Sequence, residues 1–309
     1  VFPPLDALLR AFVERSAPTM PAARAKLSGV SGAHRYVLLD VFTDTPLQGN
    51  QLAVFPDAPR WPAPHMQRLA RELNLSETVF AFAAEAGGDA RIRIFTPTAE
   101  LPFAGHPVLG TAIVLGIERE LERVSLETGA GPVAVALRDR AERGAYGTMR
   151  QPIPSWRPYV HEAELLGALG VERSGLPLEE YVNGPRQLYV ELDSEHAVES
   201  LAPDLRALLA LGEICVSCFA GAGTRWKTRM FAPGLGVHED PATGSAAGPL
   251  AVHLARHGRI AFGEEIEIRQ GAEVGRPSLL RARVAGSPEA IELVEVGGAA
   301  VLVARGEFL

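Results

Sequence analysis

The chain has 309 residues, enough for two medium domains that each bury a core, and Lys plus Arg at 30 against Asp plus Glu at 37 leave a net charge of −7. No basic patch or arginine-rich run stands out, which argues against a nucleic-acid partner. The longest apolar stretches are broken by charge, glycine or proline well short of a membrane span, and no signal-peptide pattern is visible, so a soluble, cytoplasmic protein with no membrane partner is expected.

In chain order, residues 1–34 are rich in Ala, Arg and Pro with one short helix predicted over 5–15, and read as an extension of unknown role. Strands are expected at 36–42 and 52–55, joined by the turn Leu47-Gln48-Gly49-Asn50. Met66, Leu69, Ala70 and Leu73 recur at helical spacing, which predicts an amphipathic helix over 62–73 ending near Asn74. Strands follow at 78–83 and 91–95, then an apolar helix at 108–115, then strands at 124–128, 133–137 and 147–150. The stretch 151–158 holds three prolines in eight residues and reads as an interdomain linker. Beyond it come helix 162–169, strand 188–192, helix 203–211, strands 214–219 and 228–231, an apolar helix at 246–255, and strands at 265–269, 280–284, 291–296 and 300–304. Two helices almost without charge must each be enclosed, so the expected class is α+β, with mixed sheets wrapped around one apolar helix in each half.

Two segments are versions of one another: Phe95-Thr-Pro followed by Gly105-His106-Pro107-Val-Leu-Gly110, and Phe231-Ala-Pro followed by Gly244-Ser245-Ala-Ala-Gly248-Pro249. Each runs strand, loop, glycine, small polar residue, apolar helix. A glycine before a helix permits close backbone approach, and the free amides of the first turn attract negative charge, so the pair could hold one small carboxylate. Pro107 suits the first helical position, where its missing amide hydrogen costs nothing.

Titratable candidates near the glycines are His106 at a helix mouth, where the neutral imidazole is favoured, the pair Glu239 and Asp240, and Glu77 in Leu-Ser-Glu-Thr-Val-Phe. Each also has an ordinary reading: a capping histidine, a solvated acidic pair, one exposed acid among 37. Spacing does not place Glu77 beside His106. Cys215 and Cys218 lack the further ligands of a structural zinc site and lie in a strand rather than at a redox turn, so they read as reduced structural thiols.

The motifs DVFTDTPLQGNQLAVF, LARELNLSETVF, FTPTAELPFAGHPVLGTA and GVHEDPATGSAAGPLAVHLARHG resemble the PhzF family of phenazine-biosynthesis isomerases, which share the fold of diaminopimelate epimerase. The resemblance runs over 36–305 and continues through QPIPSW, NGPRQLYV, CFAGAGTRW and EVGRPSL. It implies two similar domains, 35–150 and 159–309, each a mixed, barrel-like sheet around its apolar helix, with the active site in the cleft between them and the last strand free to return to the first domain. It also implies a homodimeric isomerase that needs no cofactor or metal. The substrate would be a cyclohexadiene bearing a carboxylate, an amino group and a hydroxyl, converted through an enol to an aminoketone.

By position, Glu77 matches the family's catalytic acid/base, His106 and Asp240 its supporting groups, and Ser76, Gly105, Gly244 and Ser245 the positions that hold substrate. Where the related epimerases carry two opposed cysteines this chain has Ala104 and Thr243, which excludes two-thiol proton transfer. The family's usual Gly-Asn-Pro reads Gly49-Asn50-Gln51 here. Two alternatives stay open at this level: an isomerase or epimerase of another small amino acid, and a carboxylate-binding protein without turnover.

Overall fold

The computed structural model describes residues 33–309, so the helix expected over 5–15 lies outside the described residues. The strands form one continuously hydrogen-bonded sheet of seventeen members among those residues. In the first half His34–Val41 pairs antiparallel with Asn50–Phe55, which runs parallel to Glu77–Phe82. Next comes Ala90–Phe95, antiparallel to Glu77–Phe82 and parallel to Arg123–Thr128, followed by Gly131–Ala141 and Gly144–Arg150 as a meander. The second half repeats these steps: Glu179–Val182, Arg186–Glu191, Cys215–Ala222, Arg225–Ala232, Glu265–Gln270, Ser278–Gly286 and Ile291–Phe308, with parallel pairings at the same two places.

The stretch expected as two strands at 291–296 and 300–304 is one strand of 18 residues. Its first part pairs with Ser278–Gly286, its middle with Gly144–Arg150 and its end with His34–Val41, so it sews the halves together. Gly297 and Gly298, which look like a break in sequence, are packing requirements: a Cβ on Gly298 would lie 2.3 Å from the Phe42 ring and one on Gly297 2.8 Å from the Tyr146 hydroxyl. Within the proline-rich stretch, Ser155–Pro158 is an edge strand against Glu179–Val182, a position that tolerates missing amide hydrogens. Sequence periodicity also missed the short strands Glu179–Val182 and Val237–Asp240 and the helix Glu195–Glu199.

Both apolar helices are enclosed. In Gly105–Glu118 every residue from Gly105 to Gly116 is buried, and in Gly244–Arg256 every residue from Gly244 to Ala255. Their side chains belong to one continuous core, which includes Leu109, Ile113, Leu250 and Leu254. Pro107 sits at the third helical position rather than the first, still within the turn whose amides have no helical partner. Pro249 lies inside the second helix and deprives the Ser245 carbonyl of its usual donor; the Asn183 side chain donates to that carbonyl at 3.0 Å in its place. The amphipathic helix Ala63–Leu73 ends at Asn74 in the left-handed conformation, φ 51°, and buries Met66 and Ala70 against Phe55, Phe80 and Phe95 on the other face of the sheet.

Candidate active site

The amino ends of the two buried helices meet. A Cβ on Gly105 would fall 2.6 Å from the Gly244 carbonyl carbon and the Ser245 nitrogen, and one on Gly244 would fall 3.2 Å from the His106 nitrogen. Gly105 is therefore required by the backbone of the second helix and Gly244 by the Phe42 ring at 2.8 Å together with the His106 amide, and the first turns of both helices meet with both positive dipole ends. That is a seat for an anion built without a cationic side chain.

Around it stand the candidate side chains. Glu77 is the first residue of its strand, paired in parallel register with Leu52, and Asn50 opens the neighbouring strand. His106 Nε2 lies 3.2 Å from Glu77 Oε2. Asn50 Nδ2 donates to Asp240 Oδ1 at 2.8 Å and to the Ala242 carbonyl at 2.9 Å, and lies 3.4 Å from His106 Nδ1. An amide nitrogen has two hydrogens, so the two short contacts claim them and the histidine contact is the weakest. Thr243 Oγ1 donates to Asp240 Oδ2 at 2.6 Å. Asn50 and Thr243 thus bind the carboxylate from both sides.

Burial dominates the electrostatics. It holds the Glu77 carboxyl well above the usual carboxylate range, and the Asp240 charge adds to the effect. Burial also raises Asp240, to about 6, against the opposing hydrogen bonds from Thr243 and Asn50. The His106 imidazole is pushed down to about 3 by burial, with the Gln51 backbone opposing, so it is neutral at physiological pH. Glu77 Oε2 and the neutral imidazole Nε2 thus face one another at 3.2 Å, neither atom holding a hydrogen bond to any other group among the described residues.

These groups line one cavity of about 490 Å³. Ser76, Glu77, Gly105, His106, Asp240, Gly244 and Ser245 all face it, so the seven residues singled out from sequence come together in one place. Its lining includes the exposed Glu100 and Glu213 but no Lys or Arg, so the donors it could offer an anion are backbone amides and hydroxyls such as those of Ser76 and Ser245. Glu239 departs from its neighbour: it forms a two-contact ion pair with Arg229, at 2.9 and 2.8 Å. Cys215, read from sequence as structural, also lines the cavity; burial, with Asp240 and Glu77 adding, pushes its thiol up to about 12, which keeps it neutral. Asn50 was not identified from sequence as a site residue, although the departure at Gly49-Asn50-Gln51 marked its position.

Elsewhere Glu179, His253 and His257 bring ligand-type atoms within 4.8 Å of one another. Arg256, stacked on Trp156 at 4.1 Å, already donates to Glu179 Oε2 at 2.7 Å, so the positive charge that a metal ion would bring is in place. No helix among the described residues is long and apolar enough to cross a membrane.

Known proteins agree with this architecture. The family profile of phenazine biosynthesis-like proteins, PhzC-PhzF, matches residues 39–306. The chain is 53% identical over 273 residues to the trans-2,3-dihydro-3-hydroxyanthranilate isomerase of Pseudomonas aeruginosa, covering 88% of this chain and 98% of that protein. The enzyme of the same name from Pseudomonas fluorescens is 53% identical over 276 residues, covering 89% and 99%. Among solved structures, a predicted epimerase from Pseudomonas aeruginosa superposes with a TM-score of 0.77 at 34% identity, covering 89% and 99%. On the matched length, the identity and the shared fold, the chain belongs to the PhzC-PhzF family of phenazine biosynthesis-like proteins and is an enzyme of its isomerase branch.

Proposed function

We propose that the protein converts trans-2,3-dihydro-3-hydroxyanthranilate to the aminoketone 6-amino-5-oxocyclohex-2-ene-1-carboxylate, a step toward phenazines, by proton transfer through Glu77. The observation that carries this reading is the contact of 3.2 Å between Glu77 Oε2 and His106 Nε2 in the cavity where the two helix amino ends meet. The activity named for relatives that match across nearly the whole chain supplies the substrate.

The substrate carboxylate would rest on the amides of Gly105, His106, Gly244 and Ser245, with Ser76 on the cavity wall. Glu77, once ionised, takes the proton from the hydroxyl-bearing carbon. The electron pair shifts through the diene, and Glu77 returns a proton to the carboxylate-bearing carbon. The resulting enol tautomerises to the ketone. A carboxyl whose pKa is raised by burial serves both halves of this cycle, as a stronger base than an ordinary carboxylate and as a competent acid. His106 and Asp240 orient the ring and meet its amino or hydroxyl group. No step requires a cofactor.

Incubation with the substrate, followed by ultraviolet absorbance and mass spectrometry, tests the activity and separates it from turnover of another amino acid or simple binding. Deuterium at the hydroxyl-bearing carbon should move to the carboxylate-bearing carbon or exchange with solvent hydrogen. If neither ring position shows transferred or solvent label, the proton-shift mechanism is wrong. The reading extends to a cytoplasmic homodimer without nucleic-acid partners, with 35–150 and 159–309 as domains flanking the cavity and 151–158 as their connection; sedimentation tests the dimer.

A further inference from the structure

Thr243 is the N-cap residue of the helix Gly244–Arg256, yet its side chain makes no capping hydrogen bond. A threonine there ordinarily accepts from an amide of the first turn. Here the hydroxyl is turned to Asp240 Oδ2 at 2.6 Å, so it caps neither the Gly244 nor the Ser245 amide, while the Ala246 amide donates to the Thr243 carbonyl at 3.0 Å. Gln270 fixes that orientation. Its Nε2 donates one hydrogen to the Asp240 carbonyl at 2.7 Å and the other to Thr243 Oγ1 at 2.9 Å, and its Oε1 accepts from the Thr243 amide at 3.3 Å and the Thr228 hydroxyl at 3.2 Å. With its oxygen accepting from Gln270, the one hydroxyl hydrogen of Thr243 goes to Asp240. Asp240 thereby receives donors from Thr243 and Asn50, whereas Glu77 Oε2 has no hydrogen-bond partner among the described residues.

We propose that Thr243, at the place where the related epimerases carry a catalytic thiol, is a positioning residue: backed by Gln270, it keeps the negative charge of the two-carboxylate site on Asp240 and leaves the proton on Glu77. The proposal rests on the reading of Glu77 and Asp240 given above. The other titratable groups around the pair come from every neighbouring element. They are neutral His106 on the first helix, neutral Cys215 on the adjoining strand, Glu239 neutralised by Arg229, Glu100 paired with Arg93, and the exposed Glu213. Among these, Thr243 and Asn50 are the side chains that donate to Asp240.

The consequence has a sign. Without the hydroxyl, Asp240 keeps its proton to higher pH, the Coulombic push on Glu77 disappears, and Glu77 ionises at lower pH as a weaker base. The test is the pH profile of kcat/KM for the dihydrohydroxyanthranilate in Thr243→Val, which keeps the branched shape, and in Thr243→Ser, which keeps the donor. In Thr243→Val the acid limb should move down by about one pH unit and the plateau fall roughly tenfold. Thr243→Ser should restore both, and Gln270→Leu, which frees the hydroxyl, should shift the limb in the same direction. Infrared difference spectra of each variant against its Glu77→Gln counterpart report the protonated carboxyl directly, and that band should disappear at lower pH in Thr243→Val than in wild type even if turnover is too low to follow. An unmoved limb and an unchanged band in folded Thr243→Val overturn the proposal while leaving Glu77 as the proton carrier. Undiminished turnover by Glu77→Gln would instead remove the underlying reading.

Discussion

The two halves of the molecule share one strand order but differ in chemistry at the same point. In each, the strand that precedes the Phe-x-Pro hairpin runs parallel to an earlier strand, Leu52 opposite Glu77 in the first half and Gln187 opposite Cys215 in the second. The pairings Thr78 with Phe95 and Val216 with Phe231 align the repeats, so Glu77 and Cys215 occupy equivalent positions, and both face the cavity. One side offers a carboxyl that burial holds well above the usual carboxylate range; the other offers a thiol that stays neutral. A fold built by repetition thus carries a titratable carboxyl on one side of the cavity and a neutral thiol on the other, and the proposed proton carrier is the carboxyl.

The comparison is broken most severely by removing that carrier. Glu77→Gln preserves shape and should lower kcat by about a hundredfold to ten-thousandfold, more if the same group serves both proton transfers, with circular dichroism unchanged. Turnover within about threefold of wild type would show that the carboxyl is not the carrier.

Breaking the contact between the halves should cost less activity but more stability. Gly105→Ala places a methyl group 2.6 Å from the backbone of Gly244 and Ser245, neither of which can swing aside. Overpacking of this kind costs about 1–3 kcal/mol, read as a lower urea midpoint, and should weaken substrate binding because the paired helix ends are pushed apart. Gly167→Ala, where a Cβ meets nothing within 4 Å, is the control.

The buried acids also make stability depend on pH. Glu77 and Asp240 both have folded-state values raised above the ordinary carboxylate range, so their contribution is complete below the unfolded pKa and is lost as pH rises through the folded values. His106, pushed down to about 3, has the opposite sign: its contribution is present above the unfolded imidazole value and is lost on acidification. Glu77→Gln should therefore gain in Tm relative to wild type as pH rises above the ordinary carboxylate range, and a difference that does not change with pH would contradict the buried-carboxyl reading.

The smallest effect is expected on the other side of the repeat. Cys215→Ser with Cys218→Ala should retain most turnover, compared on the folded fraction, because the proposed proton transfer runs through Glu77 and burial keeps both thiols neutral. An unpaired buried hydroxyl at position 215 would cost roughly 1–3 kcal/mol of stability. Loss of turnover in folded double mutant would mean that the neutral thiol takes part.

Several elements were legible because their physics is local. The helix 62–73 announced itself by periodic Met66, Ala70 and Leu73 and stopped at an Asn that takes the left-handed conformation. The two charge-free helices announced their enclosure, and the repeated glycines their shared purpose. The continuous last strand was not legible, since Gly297-Gly298 reads as a break until the Phe42 ring is seen to need the space. The helix expected at 246–255 already contained Pro249; what was not legible is the compensation, the Asn183 side chain reaching the Ser245 carbonyl from the turn between two strands.

The amino-acid sequence by itself determined the α+β class, the two buried helices and the residue types available for proton transfer, because alternation, charge and glycine act over a few residues. Only the tertiary structure decided that Glu77 stands against His106 and that Asn50 reaches Asp240, 190 residues away. It also decided that Thr243 gives its hydroxyl to Asp240 rather than to its own helix. Burial and hydrogen-bond partners set which group holds the proton, and both arise from strand register across the whole sheet, which no local spacing encodes.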